Sequence, residues 1–132
     1  MTESRKILVV DDDQECLEFA ESVLTRAGYE VVTATNGCDG LEKAKAERPD
    51  LIILDVLMPE RDGWDTCDDL RSAEETRRVP IVYLTCVEGP KTIYGSHGAF
   101  ETEWNEYLTK PVSPKNLVGV VRRLLDKSAA LR

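Results

Sequence analysis

The sequence has few of the residues that build zinc sites, disulfide frameworks and membrane spans. It holds one histidine and four cysteines without a Cys-x-x-Cys spacing, so a zinc site is excluded and reduced, mostly buried thiols are expected. No apolar run approaches the roughly 20 residues of a membrane-spanning helix. The first residues lack the apolar segment of a secretory signal. We therefore expect a cytoplasmic protein without a membrane partner.

Positive charge is also scarce. The chain has 17 Lys and Arg residues against 25 Asp and Glu residues, which gives a net charge of −8. Because nucleic acids and anionic membranes repel such a chain, direct binding to either is not expected. With 132 residues, 42% of them apolar, the chain is large enough for one domain with its own core. We take residues 1–132 as that single domain, either a stand-alone protein or part of a longer one.

Short apolar runs alternate with segments of helical periodicity along the chain. The runs predicted to be strands are residues 6–10, 30–34, 51–54, 79–84 and 107–109. Strict alternation of five strands with five helical segments predicts an α/β fold, in which right-handed crossovers build a doubly wound parallel sheet.

Four of the five helices can be placed from their boundary residues and their inward faces; the fourth lies somewhere in 86–103. The predicted boundaries are Gly28 after the first helix, Pro49 after the second, about Gly63 to Thr76 for the third, and Ser113 as N-cap with Pro114 in the first turn of the last. The residues predicted to face the core are Leu17, Ala20, Val23, Leu24 and Ala27; Leu41 and Ala44; Trp64, Cys67 and Leu70; and Leu117, Val120, Val121, Leu124 and Leu125.

Polar residues follow four of the predicted strands. They are Asp11-Asp12-Asp13 after the first strand, Asp55 after the third, Thr85 after the fourth and Lys110-Pro111 after the fifth. Each feature alone is ordinary, since an acidic run often only caps the next helix and a threonine at a strand end is usually structural. Their joint occurrence is specific, because the carboxyl ends of parallel strands face the crevice where such sheets bind ligands.

This set of residues suits a magnesium ion and a phosphoryl group. Magnesium prefers hard oxygen ligands and keeps several waters, so Asp12 and Asp55 can bind it directly and Asp11 through a water. Asp55 is then placed to supply a nucleophilic oxygen, with Thr85 and Lys110 holding part of the phosphoryl charge.

These motifs resemble those of the receiver domains of bacterial two-component response regulators, such as the single-domain chemotaxis regulator. The resemblance spans nearly the whole chain, and the matching segments are 7–12, 49–55, Met58-Pro59 with Gly63, 80–85 and 107–111. It implies a flavodoxin-like (βα)5 fold with five parallel strands in the order 2-1-3-4-5. It also implies a signalling domain rather than an enzyme, which assists only its own phosphorylation and dephosphorylation.

By the same resemblance, Asp55 is the phosphoacceptor, which takes phosphate from a sensor histidine kinase or a phosphotransfer protein. Asp11 and Asp12 are the acidic pair that handles Mg²⁺, together with Asp55 and the backbone carbonyl of Leu57.

Three further residues resemble the switch that carries the signal. Thr85 is the hydroxyl that moves toward the phosphoryl group, Lys110 is the ion-pair partner of that group, and Tyr107 is the aromatic residue whose position follows the threonine. The resemblance implies a downstream protein target and a possible homodimer through the face formed by the fourth helix, the fifth strand and the fifth helix. In that region the interval from Thr85 to Lys110 is a few residues longer than in the family.

Two other functions compete with this interpretation. The first is a small phosphatase similar to the haloacid dehalogenases, with Asp11 as nucleophile and Asp13 completing an Asp-x-Asp motif. Against it stand Glu15, where those enzymes have Thr or Val, and the lack of room for a cap domain. The second is a degenerate receiver used only for interaction. The aspartate that becomes phosphorylated, Asp55 or Asp11, discriminates the receiver from the phosphatase.

Overall fold

Five parallel strands form one sheet in the order β2-β1-β3-β4-β5. A computed structural model describes residues 5–55, 69–70, 72–85, 105–109 and 113–131. The strands are β1 (Lys6–Val10), β2 (Glu30–Ala34), β3 (Leu51–Asp55), β4 (Ile81–Thr85) and β5 (Asn105–Thr109). The predicted flavodoxin-like sheet with this strand order is confirmed.

Alternate residues of the strands point into two separate cores, one on each face of the sheet. On one face, Ile7, Val9 and Ile53 pack with residues of α1 (Gln14–Arg26) and of the C-terminal helix (Pro114–Leu131). On the other face, Leu8 and Ile52 pack against α2 (Gly37–Glu47). All five residues of β3 are buried, which explains why this strand is a continuous apolar run up to its final aspartate.

The first helix begins and ends at residues that satisfy its terminal backbone groups. Asp13 is the N-cap of α1, and its side chain accepts a hydrogen bond from the backbone N–H of Glu15 at 3.0 Å. Gly28 ends the segment with φ at +99°, a conformation that favours glycine. Leu17, Ala20 and Leu24 are buried as predicted, and Val23 is half-buried. The inward position predicted for Ala27 is wrong, because Ala27 is already the C-cap and lies exposed.

The second helix ends before Pro49, as predicted. Asn36 caps its start by accepting a hydrogen bond from the N–H of Asp39 at 2.8 Å. Arg48 is the C-cap, in the left-handed region with φ at 51°. Ala44 is buried, and Leu41 packs partly against the same core.

The C-terminal helix begins where the sequence predicted. Ser113 accepts a hydrogen bond from the N–H of Asn116 at 3.1 Å, and Pro114 is the first helical residue. Its predicted inner face is confirmed: Leu117, Val120, Val121, Leu124 and Leu125 are all buried.

The fourth strand is shorter than predicted. It begins at Ile81 instead of Val79, because the N–H of Val79 donates to the carbonyl of Thr76 at 3.1 Å and so belongs to a turn. Pro80 has no N–H for a sheet bond, although its carbonyl accepts one from Ile52 at 3.0 Å. The fifth strand begins earlier than predicted, at Asn105.

Of the third predicted helix, the described residues Asp69, Leu70 and Ser72 are helical. Leu70 is buried as predicted, and its carbonyl accepts a hydrogen bond from the buried hydroxyl of Thr76 at 2.5 Å. The helix ends before Thr76, in a stretch of turns. Trp64, Cys67 and the predicted fourth helix lie outside the described residues.

The thiols are less buried than expected. Cys16 is half-buried and Cys38 is exposed, and neither is part of a disulfide. The expectation of buried thiols is therefore wrong for Cys38, which lies on the outer surface of α2. Cys86, like Cys67, lies outside the described residues. Among the helices of the described chain, none is long and apolar enough to cross a membrane.

Candidate functional site

Three carboxylates meet at the carboxyl edge of the central strands. Asp11 and Asp12 follow β1 directly, and Asp55 is the last residue of β3. The two strands are hydrogen-bonded neighbours with Val10 opposite Leu54, so their next residues, Asp11 and Asp55, emerge side by side. One carboxylate oxygen from each of the three aspartates lies within 4.8 Å of those from the other two. The predicted convergence of these residues is thus present in the structure.

The three carboxylates differ in their exposure to solvent. Asp11 is fully buried and Asp55 is 6% exposed, whereas Asp12 lies on the surface. The backbone of Asp11 is held by a bond from its N–H to the carbonyl of Ala34 at 3.1 Å, and its Oδ1 accepts from the N–H of Asp13 at 3.0 Å. The buried side of the cluster is therefore formed by Asp11 and Asp55, and the side with Asp12 is open to solvent.

This donor set fits a hard divalent cation. Carboxylate oxygens are the protein ligands that Mg²⁺ prefers, and an octahedral ion keeps several positions for water or phosphate oxygens. Two buried negative charges beside a third are unfavourable together unless a positive charge balances them. Such an ion would balance them, with Asp12 on the solvent side of the cluster.

The strand register places a fourth predicted residue at the same edge. Leu84 lies opposite Asp55 in the sheet, so the backbone of Thr85 is one residue further toward the carboxyl edge. Thr85 in turn pairs with Thr109 at the end of β5. The backbone of Tyr107 lies within β5 opposite Tyr83. Lys110 and Leu57 lie outside the described residues.

Asp13 is the member of the acidic run that caps α1, which is the ordinary role of such a run after a strand. Its side chain caps α1, and its Oδ2 accepts a hydrogen bond from Sγ of Cys16 at 3.4 Å. An aspartate directly before a helical pattern is the signal that would have identified it as a cap. The Asp13 carboxylate is thus engaged with the helix, and Asp55 completes the acidic cluster. This arrangement favours Asp55 over the Asp-x-Asp pair of the phosphatase alternative.

Comparison with known proteins gives a family match over most of the chain. Residues 7–122 match the model of the response regulator receiver domain. The alkaline phosphatase synthesis transcriptional regulatory protein PhoP of Bacillus subtilis is 39% identical over 127 residues, covering 95% of this chain and 50% of PhoP. Response regulator PleD of Caulobacter vibrioides is 38% identical over 122 residues, covering 92% of this chain and 26% of PleD. The chain spans half or less of the length of these two relatives.

Solved structures give the same fold over nearly their full length. The chemotaxis protein CheY4 of Vibrio cholerae superposes with a TM-score of 0.84 at 31% identity, covering 92% of this chain and 99% of CheY4. A putative response regulator from Chloroflexus aurantiacus has a TM-score of 0.83 at 37% identity, covering 94% of this chain and 99% of that structure.

Proposed function

This chain belongs to the response regulator receiver domain family, whose members act in the phosphorelay signalling of two-component systems, and we propose that Asp55 is its phosphoacceptor. The observation that carries the proposal is the position of Asp55, almost buried at the end of the central strand and within 4.8 Å of two further aspartates. A phosphodonor can reach a carboxylate in that position from the solvent side of the cluster, where Asp12 lies, while the buried side shields the carboxylate from bulk water.

In the proposed reaction, a carboxylate oxygen of Asp55 attacks the phosphorus of a phosphohistidine. The new O–P bond forms as the P–N bond breaks, and the electron pair of that bond stays on the imidazole nitrogen. The product is an acyl phosphate on Asp55. Apart from its own phosphorylation and dephosphorylation, the domain catalyses no reaction under this proposal.

Receiver domains generally bind Mg²⁺, and here Asp11, Asp12 and Asp55 would hold it with the backbone carbonyl of Leu57. The ion would neutralise part of the phosphoryl charge. The hydrogen bond from the N–H of Asp13 orients Asp11 for this task. Because Asp11 is fully buried, the surrounding packing restricts the rotamers open to its side chain.

Three residues are proposed to respond to the phosphorylation of Asp55, namely Thr85, Lys110 and Tyr107. The Thr85 hydroxyl and the Lys110 ammonium bind the phosphoryl oxygens better in the active arrangement than in the inactive one, and Tyr107 follows the threonine. Phosphorylation therefore shifts a pre-existing equilibrium. The position of Thr85 one residue beyond the level of Asp55, on the adjacent strand, supports this role.

The partners proposed for the domain follow from the family. They are a sensor histidine kinase or phosphotransfer protein as donor, and a downstream protein as target, both in the cytoplasm. A homodimer through the fourth helix, the fifth strand and the fifth helix is part of the proposal, as is a single receiver domain over residues 1–132. The net charge of −8 supports a protein partner over direct contact with nucleic acid.

Intact-mass spectrometry after incubation with Mg²⁺ and a small acyl-phosphate donor tests the phosphoacceptor. We expect one phosphoryl adduct on the wild type, dependent on Mg²⁺, and none on Asp55→Asn. Asp126→Asn, which alters an exposed aspartate of the C-terminal helix, is the matched control and should be modified like the wild type. An adduct that persists in Asp55→Asn and disappears in Asp11→Asn would contradict the assignment.

A further inference from the structure

The second strand lies at one outer edge of the sheet, and part of its backbone faces away from the other strands. In the order β2-β1-β3-β4-β5, β2 has β1 as its neighbour on one side. The N–H of Glu30 and the carbonyl of Ala34 are both bonded on the β1 side, at 2.9 and 3.1 Å. Because backbone groups alternate in direction along a strand, those of Val31 and Thr33 point outward, away from β1.

Lys43 of α2 covers one of these outward groups. Its Nζ donates a hydrogen bond to the carbonyl of Thr33 at 2.5 Å and lies 3.4 Å from Oδ2 of Asp39. The N–H of Thr33 and both backbone groups of Val31 have no hydrogen-bond partner among the residues that the structure describes. The lysine therefore occupies one acceptor of an edge whose other groups are open.

The sequence of this edge is typical of a segment that pairs readily with another strand. Residues 29–35 are rich in β-branched side chains and contain neither Pro nor Gly. Their single charge, Glu30, lies at the start of the strand, 3.7 Å from the ammonium of Lys6. Exposed edges of this kind invite pairing with another chain, and natural sheets often protect them with a lysine. Here the protecting lysine comes from the neighbouring helix.

The outward groups of β2 match those of a second copy related by a two-fold axis through Val32. In an antiparallel pair centred there, Val31 lies opposite Thr33 of the second copy, and these two residues exchange both of their backbone hydrogen bonds. The same pair occurs on each side of the axis, so the carbonyl of Thr33 is needed as an acceptor in both copies. Glu30 falls opposite Ala34, so this register brings no like charges of the strand together. The edge is thus complementary to itself.

We propose that Lys43 prevents strand pairing between copies of the chain at the β2 edge, by occupying the Thr33 carbonyl that such a pair requires. Without the ammonium, this acceptor is open, and the edge binds a second copy in an antiparallel extension of the sheet. β2 and β5 are the opposite outer strands, so this edge is separate from the homodimer face proposed around β5.

Sedimentation velocity on the unphosphorylated protein tests the proposal. Lys43→Ala should form a dimer with a dissociation constant at least about tenfold below that of the wild type, because its Thr33 carbonyls are open. Lys43→Met keeps a long side chain without the ammonium and should associate in the same way. Lys43→Arg keeps a cationic donor and should sediment like the wild type. Lys45→Ala removes an exposed lysine of the same helix and is the matched control, also expected to sediment like the wild type.

A second substitution locates the interface. Thr33→Pro, added to Lys43→Ala, removes an outward N–H and should restore the sedimentation of the wild type. The sheet tolerates this proline because the N–H of Thr33 is not bonded to β1. Far-UV circular dichroism should show the helical content of the wild type in every variant.

Hydrogen exchange gives an independent measurement. In the wild type, the amides of Val31 and Thr33 should exchange faster than those of Glu30 and Val32, which face β1. In Lys43→Ala, raising the protein concentration should slow exchange at Val31 and Thr33 at least about tenfold as the dimer forms.

Two results overturn the proposal. The first is that Lys43→Ala and Lys43→Met both sediment like the wild type. The second is association of Lys43→Ala that survives Thr33→Pro, because the copies would then meet through another surface.

Discussion

At the scale of single residues, Lys6 links the start of β1 to the start of β2 and to the carboxyl end of α2. Its Nζ lies 3.0 Å from Oε1 of Glu47 in α2 and 3.7 Å from Oε2 of Glu30 in β2. The hydrogen bond to Glu47 is the main cause that raises the pKa of Lys6 above its ordinary value of 10.5; partial burial opposes this shift, and the charge of Glu30 adds to it. The backbone N–H of Lys6 donates a hydrogen bond to Oδ2 of Asp50 at 2.8 Å.

The raised pKa of Lys6 has a defined effect on stability. Folding favours the protonated amine of Lys6. Its contribution to the stability of the folded state is therefore fully present below pH 10.5, and it is lost as the pH rises through the higher pKa that Lys6 has in the folded state. Thermal unfolding of the wild type and Lys6→Gln should therefore show a difference in Tm that narrows above pH 10.5. Lys45→Gln serves as reference for the loss of one exposed lysine. A difference that stays constant across this range would contradict the role of the ion pairs.

At the scale of elements, two helical glycines have opposite surroundings. A Cβ on Gly40 of α2 would come within 2.8 Å of Cγ2 of Val10 in β1, whereas one on Gly119 of the C-terminal helix would meet no atom within 4 Å. Gly40 thus permits the close approach of α2 to the strand that leads into Asp11. Gly119 only costs the helix conformational entropy.

Replacing each glycine by alanine should shift stability in opposite directions. Gly40→Ala should lower the free energy of unfolding by about 1–3 kcal/mol, because Val10 or the helix must move. Gly119→Ala should raise it by roughly 0.5–1 kcal/mol through better helix propensity. Urea denaturation at low protein concentration measures both. A gain in stability with Gly40→Ala would show that packing at Gly40 is looser than described, and a loss with Gly119→Ala would contradict the open surroundings of Gly119.

The accuracy with which the sequence predicts the bounds of an element differs from one element to another. Strands β1 and β3 are short apolar runs and β2 is a β-branched segment, and the bounds of all three agree with the prediction within one residue. The start of β4 was predicted wrongly, since the apolar Val79 continues the run while its backbone closes a turn with Thr76. The position of Asp55 beside Asp11 followed from strand topology alone. Capping was expected only as a general role of the run of three aspartates, and the sequence did not assign it to Asp13 in particular.

At the scale of the whole molecule, negative charge and the acidic cluster act together on stability. The net charge of −8 attracts cations to the protein surface. Repulsion between negative charges is concentrated at the acidic cluster, where three carboxylates lie within 4.8 Å of one another. A cation bound only by the folded state stabilises it in proportion to the logarithm of its concentration. If the cluster holds Mg²⁺ as proposed, folding is coupled to the concentration of that ion.

Urea unfolding with and without Mg²⁺, at matched ionic strength, measures this coupling. At an Mg²⁺ concentration of about 100 times the dissociation constant, the wild type should gain roughly 2.7 kcal/mol. Asp12→Asn should lose most of this gain, because it removes the solvent-side ligand, while Asp126→Asn should keep it. An equal gain in all three proteins would mean that Mg²⁺ acts only by screening the overall charge.

The acidic cluster can form during folding only once β1 has paired with β3. The two strands are separated in the chain by α1, β2 and α2, so they meet only through a long-range contact. Contacts of this kind close late and slowly compared with helices. A chain in which β1 and β3 have not paired lacks the acidic cluster, so under the proposed function its ability to accept a phosphoryl group reports closure of the central sheet.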